Sequence, residues 1–440
     1  MKRIFTIAAA TALSLSTVSC DRFLDIQPEG KVIPTSTEDY REVLTSAYAK
    51  YPAHKSLSAL RTDELNLDEY SMDFPNYREI IMWKDSNLDA VTTQFPWVSF
   101  YSTIFYLNQT INEGVKTMAA GDEKNQILAE AYALRAYSYF DLVNLYGKPY
   151  NATTAASDKG VPISLEIDLE QVLPASSVQQ VYDQIHADLT QAETLMVKAK
   201  QEQSTRYRFS KAALEALQAR VALYQQNYDA ALTFVNAALF IQNDLVDLNA
   251  TAATVPSRFD SKESIMSLDY AFNNAVQNVS FASPELIGSY DQTNDKRFGL
   301  YFEKSGSKYK LKKGGSTDFR VSFRTAELYF IKSEALLKLG QLSQAKDALM
   351  TVLSKRYTAA GFANIQTTVA AMNATDFMKF ILDERFREFT AEGHRWFDLK
   401  RADQKQITHT VSGMQYVLQP NDVRYTIEVP PAAKANNPNL

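Results

Sequence analysis

The sequence predicts a mainly α fold in which helix pairs stack into an α-α superhelix, interrupted by long loop insertions with minor β structure. Three observations carry this expectation. Several long segments repeat their apolar residues with a helical period. Two of them share one pattern: Ala219-Arg220-Val221-Ala222-Leu223-Tyr224 leads through Tyr228 to Ala231, and Ser333-Glu334-Ala335-Leu336-Leu337-Lys338 leads through Leu342 to Ala345. This is tetratricopeptide-like spacing, in which small residues let two helices approach and large ones fill the gap. Between the two copies, residues 242–323 keep no helical period and are rich in Asn, Asp, Ser and aromatics.

Composition narrows the function classes. The 440 residues carry a net charge of -5, which argues against a nucleic-acid partner, because phosphate binding wants a basic surface. Nothing in that overall charge points to an anionic ligand. Twenty-four Tyr, twenty-four Phe and three Trp must be divided between core and any binding surface, and most belong to the core. The single Cys excludes an intrachain disulfide, so the fold rests on its packing.

In chain order, Lys2 and Arg3 precede an apolar run from Ile4 to Leu15 and then small residues up to Cys20. This is the layout of a signal peptide over 1–19, too short to span a membrane. Thr17-Val18-Ser19-Cys20 resembles a bacterial lipoprotein processing site, with Cys20 as the lipidated residue and 20–34 as a tether that Phe23, Leu24 and Ile26 clip down. Thr17 stands where such sites usually carry Leu, and ordinary secretory cleavage is the alternative. A helix is expected over 38–49, with Thr35 and Glu38 at capping-box spacing. The acidic and aromatic stretch 60–97 reads mainly as loops. Asp85-Ser86-Asn87-Leu88-Asp89 begins like a calcium loop but lacks the glycine and final glutamate, so an EF-hand is rejected.

Helical period returns over 95–118 and 123–145, stops at Gly147 and Pro149, and returns over 177–200. Helix pairs are expected near 123–146, 210–240 and 324–356, the first a poorer copy that starts at Ala136 and Leu145 and whose second helix does not follow directly. Within the insertion, Lys308 to Lys312 alternates as a strand does, and Gly314-Gly315 marks a turn. A last helix is expected over 376–391, followed by turn-rich sequence.

Several stretches together resemble the SusD/RagB family of outer-membrane lipoproteins. They are Phe323 to Ala335 with its Arg324, Ala326, Glu327 and Tyr329; Glu384-Arg385 through Phe389; Glu392-Gly393-His394-Arg395-Trp396-Phe397-Asp398-Leu399-Lys400-Arg401; Cys20 with Phe23-Leu24-Asp25; and the ending Asn437-Pro438-Asn439-Leu440. The resemblance implies one domain over 20–440, lipid-anchored in the outer membrane and facing outward. It also implies a protein that captures glycans and hands them to a SusC-like TonB-dependent transporter, with no catalysis and no cofactor. Peptide import of the RagB type, a glycoside hydrolase and a tetratricopeptide adaptor are the alternatives.

Glu384, Glu388 and Glu392 recur at four-residue spacing and share a helical face, as paired carboxylates of a glycosidase could. An ion-pair lattice with Arg385, Arg387 and Arg395 is the favoured reading, since neighbouring cations keep carboxylates ionised. His54, His186, His394 and His409 show no metal-ligand spacing, so no metal site is expected, and no phosphate loop or nucleophile elbow is present. A glycan binder needs loop-borne aromatic faces that stack on sugar rings. Tyr70, Tyr77, Trp83, Tyr290 and Tyr301 are the candidates, whereas Trp97 and Trp396 are assigned to the core.

Overall fold

Small residues decide how the helices meet. The structure, a computed structural model, describes residues 34–168 and 170–440. Cys20 and the tether as far as residue 33 lie outside the described residues. The longer helices are α1 Thr37–Ala49, α2 Trp97–Asn112, α3 Asp122–Tyr146, α4 Val178–Leu195, α5 Lys211–Tyr224, α6 Tyr228–Ile241, α7 Thr325–Lys338, α8 Leu342–Leu353, α9 Ala359–Ala371 and α10 Ala374–Glu388. The fold is mainly α, and α5 packs on α6 while α7 packs on α8. Ala219, Ala231, Ala335 and Ala345 are fully buried where the two pairs close, and Ser333 Oγ donates to the Ala345 carbonyl at 2.7 Å. The poorer copy also finds a partner, because α3 packs against α4 across the loop 147–177.

The cap of α1 differs from the expectation. Ser36, not Thr35, is the N-cap: its Oγ accepts from Asp39 N at 3.2 Å, and the Asp39 carboxylate accepts from Ser36 N at 2.9 Å. Likewise α4 stops at Leu195 rather than near 200, and α10 starts two residues earlier and ends three residues earlier than the periodicity suggests, starting on an Asn373 cap. The chain turns away after α10 because Ala391 and Gly393 adopt φ of 58° and 80°. Gly393 has no room for a side chain, since a Cβ there would meet the Lys55 side chain at 2.6 Å.

The strands are β1 Leu65–Leu67, β2 Ser264–Met266, β3 Ser280–Ala282, β4 Phe302–Ser305, β5 Lys308–Leu311, β6 Phe323–Arg324, β7 Ile407–Val411 and β8 Met414–Leu418. They pair as antiparallel ribbons β1–β3, β2–β6, β4–β5 and β7–β8. The stretch 60–97, expected as loops, therefore holds β1 and also a short helix, Phe74–Ile81. A three-residue strand shows no period of its own, and β1 exists because β3 pairs with it from more than two hundred residues away, Asn66 opposite Phe281. The turn-rich C-terminal sequence forms the β7–β8 hairpin, whose Ser412 and Gly413 both have positive φ (51° and 76°), the type I′ geometry that matches strand twist.

The carboxylates of α10 form a buried ion lattice, but with partners mostly from elsewhere in the chain. Glu388 accepts from Arg324 at 2.7 Å, Arg356 at 2.9 Å and Arg297 at 3.1 Å. Glu384 meets Arg297 at 2.8 Å and Arg387 at 2.6 Å, Glu392 meets Arg324 at 2.8 Å and also Lys313, and Glu263 bridges Arg324 and Arg356. Of the three arginines expected from spacing only Arg387 joins; Arg385 pairs with Asp398 and Arg395 with Asp63. Sequence distance hides the others, because Arg297, Arg324 and Arg356 come from three separate segments. Burial alone would raise Glu384, but the charges of Arg387 and Arg297 outweigh it and hold its carboxyl down to about 2. Burial likewise pushes Glu388 up, and Arg356, Arg324 and Arg297 together bring it well below the usual range.

Neutralising Glu388 leaves three buried guanidinium groups short of a counter-charge, and removing one partner of a buried pair costs about 3–5 kcal/mol. Glu388→Gln is expected to lower the unfolding free energy by that order in urea titration; a loss within error of zero would show that the lattice does not hold the fold.

Candidate ligand-binding cavity

The five aromatics singled out from the sequence do not converge on one surface. Trp83 is 2% exposed, lies parallel to the His409 ring at 4.5 Å, and donates from Nε1 to the Arg61 carbonyl at 2.9 Å. Tyr77 is buried with Leu65, Ile80 and Ile81. Tyr290 is buried edge-on to Phe302 and donates to the Arg387 carbonyl at 2.6 Å. Tyr301 is fully buried beneath the ion lattice, with Lys313 Nζ 4.1 Å from its ring centre, and burial pushes its hydroxyl well above its ordinary range. These four rings therefore pack the core instead of facing solvent. Irregular chain was expected to display its aromatics, but a large apolar ring lowers its free energy by leaving water whatever backbone carries it. Trp97 and Trp396 are buried, as expected.

Tyr70 is the exception, at 97% exposure. It stands at the mouth of a cavity of about 620 Å³, a size that suits a small oligosaccharide. Four pieces of chain distant in sequence build the walls. The end of β1 and the turn after it bring Asn66, Glu69 and Tyr70; β3 brings Phe281; the tip of the β4–β5 hairpin brings Ser307, Lys308 and Tyr309; and β7 brings Thr408 and Thr410.

Strand geometry aims these groups. Along β7 burial alternates, so Ile407, His409 and Val411 enter the core while Thr408 and Thr410 point to the cavity. The hairpin reverses over Gly306 and Ser307, with Gly306 at φ 62°, which presents Lys308 and Tyr309 at its tip. Tyr309 is steadied by an edge contact with Phe298 at 5.5 Å. Glu69 is tied to the opposite rim, accepting from Ser412 N at 2.7 Å. Aromatic faces with hydroxyl, amide, carboxylate and ammonium groups around them can stack on a sugar ring and hydrogen-bond its hydroxyls. Sequence reading placed Phe281 and Tyr309 in the insertion without singling them out; the alternation at 308–312 was the one local signal, and the pairing of β1 with β3 has none.

A second cavity of about 640 Å³ lies along α2 beside Tyr101, Phe105, Tyr106 and the C-terminal residues. Its tyrosines have partners already: Tyr101 donates to the Pro162 carbonyl at 2.9 Å, and Tyr106 accepts from Lys50 at 2.8 Å. Among the described residues no group of three or more His, Cys, Asp and Glu is placed to hold a metal ion. No described helix is long and apolar enough to cross a membrane.

Two family models together match most of the chain. One, described as "Starch-binding associating with outer membrane", matches residues 22–223, and the other, described as "SusD family", matches residues 248–439. A SusD-like protein of Formosa agariphila is 25% identical over 94% of this chain and 94% of its own length. A SusD superfamily protein from Bacteroides fragilis superposes with a TM-score of 0.75 at 20% identity, covering 93% of this chain and all of its own. A structure titled "Laminarin binding SusD-like protein" matches with a TM-score of 0.60 at 18% identity, covering 82% and 90% of the two chains.

The different placement of the two rings gives opposite expectations. Trp83→Ala is expected to lower stability by about 3–5 kcal/mol, the usual loss for a buried aromatic, whereas Tyr70→Ala is expected to stay within about 0.5 kcal/mol. Urea unfolding of both variants checks this, and equal losses would contradict the placement.

Proposed function

We propose that this chain, which belongs to the SusD/RagB family of carbohydrate-binding, outer-membrane-associated proteins, captures glycan in the cavity beside Tyr70 and passes it unaltered to a SusC-like TonB-dependent transporter. The observation that carries the reading is the exposed Tyr70 ring at the mouth of a cavity framed by Phe281, Tyr309 and short polar side chains. A structural neighbour described as laminarin-binding supports a glycan as the ligand class.

The absence of catalysis is part of the proposal. A glycosidase needs a carboxylic acid that stays protonated near neutral pH. Glu384 and Glu388, the carboxylates at helical spacing, are ionised there, fully buried and occupied by arginines, so neither is free to donate a proton to a substrate. The lipid anchor on Cys20 and the tether over 20–34 complete the reading: they hold the domain at the cell surface, where polymer arrives.

Calorimetry of the purified chain against a panel of polysaccharides and peptides tests it. Binding to at least one glycan is expected, weakened by Tyr70→Ala by roughly tenfold if the ring contributes about 1.4 kcal/mol of stacking. Peptide binding with no glycan binding would overturn the reading in favour of peptide import. For the anchor, Cys20→Ala is expected to abolish palmitate labelling and move the protein out of the membrane fraction; a variant that stays on the membrane removes lipidation from the account.

A further inference from the structure

The overall charge of -5 conceals a local reversal beside the cavity. From Phe302 to Lys312 the β4–β5 hairpin carries four lysines against one glutamate. Lys308 and Lys310, two residues apart on one strand, project from the same face. Both reach the half-buried ring of Phe281: Lys308 Nζ lies 4.5 Å from its centre and Lys310 Nζ 5.4 Å. Among the described residues neither ammonium group has a carboxylate within ion-pair distance, and Lys304 and Lys312 of the same hairpin have none either, so its positive charge stands uncompensated. Beside it Lys405 holds Glu285, and Glu69 accepts from the Ser412 backbone. Glu303 stands directly opposite Lys310 across the hairpin, yet the two do not close an ion pair.

Two like charges gathered over one ring repel each other, and the attraction of the ring for cations offsets only part of that. An anion between them removes the repulsion and gains two charge-assisted hydrogen bonds. A bound chain stacked near Tyr70 would bring its substituents past Lys308, which lines the cavity. We infer that the ligand is an acidic glycan, whose carboxylate or sulfate ester is held between Lys308 and Lys310 above Phe281. This rests on the glycan-binding reading and sharpens it. Phe281 then acts by positioning the two cations, while Tyr70 and Tyr309 supply the stacking faces.

The test is calorimetry of the full chain with three oligosaccharides of equal length: an oligogalacturonate, a sulfated galactan fragment and a neutral β-glucan. At least one acidic ligand is expected to bind more tightly than the neutral one, with an advantage that shrinks as salt is raised. The oligogalacturonate binding best identifies the anion as a carboxylate, and the sulfated fragment binding best identifies it as a sulfate ester. In Lys308→Gln/Lys310→Gln the acidic-over-neutral ratio is expected to fall by roughly tenfold, and Lys308→Arg/Lys310→Arg is expected to keep it; thermal melting of both variants reports that the exposed hairpin is intact. A neutral glucan bound as tightly as both acidic ligands, or a ratio unmoved by the Gln pair, overturns this inference and leaves glycan capture standing. No binding of any of the three, or of the wider polysaccharide panel, overturns glycan capture itself.

Discussion

Glu388 sits with no solvent exposure among Arg297, Arg324 and Arg356, and this cluster is the constraint on which the rest of the chain depends. Taking so many charges out of water is unfavourable unless each finds its partner, and a half-assembled lattice is worse than none. The lattice therefore acts as a register. Arg324 arrives on β6 at the start of α7, Arg356 just after α8, and Arg297 from the long insertion, and all three must dock on α10 at once, with Glu263 bridging Arg324 and Arg356. A similar link, Arg220 to Glu327 at 2.7 Å, ties the first helix pair to the second. Hydrophobic burial between the small-residue helix faces drives the pairs together, and the charges decide which relative placement is allowed.

The cavity inherits its order from this cluster. The β4–β5 hairpin, which carries Ser307, Lys308 and Tyr309, is bracketed by Arg297 before it and Lys313 after it, and both are fixed in the lattice. Its tip can thus extend into solvent while its base is held. Tyr290 and Tyr301 fill the space between the lattice and the hairpin, so the rings expected to touch ligand instead support the hairpin that walls the cavity. The opposite wall is made by β7 and by the turn after β1, joined through Glu69 and Ser412. Strand edges and a hairpin held at its base suit the proposed recognition role, since they leave little ordering to be done on binding.

Much of the scaffold was legible because its signals are local. The helix pairs follow from apolar period and small residues at fixed offsets, and the strand at 308–312 follows from alternation. The site was less legible. Of the aromatics singled out in the acidic stretch, Tyr70 lines the cavity, but Trp83 and Tyr77 share its stretch of sequence and lie in the core. What separates them is a contact far along the chain: Trp83 is covered by His409, whereas Tyr70 is left exposed. Phe281 faces the cavity because β3 found β1, which no period in either segment announces.

Local spacing sets most of the long helices, the pairing of α5 with α6 and of α7 with α8, the family signature around Glu384 to Arg401, and the neutralisation of the carboxylates there by arginines; it does not announce α9 or the short helix Phe74–Ile81. Those properties depend on residues a few positions apart, where helix geometry alone brings side chains together. Tertiary structure decided which arginines do the neutralising, which aromatics meet water, and that Tyr70, Lys308 and Thr410 share one cavity. Each of those outcomes joins segments separated by tens to hundreds of residues. Their meeting is set by the packing of the whole core, which leaves no trace in the spacing of any single stretch.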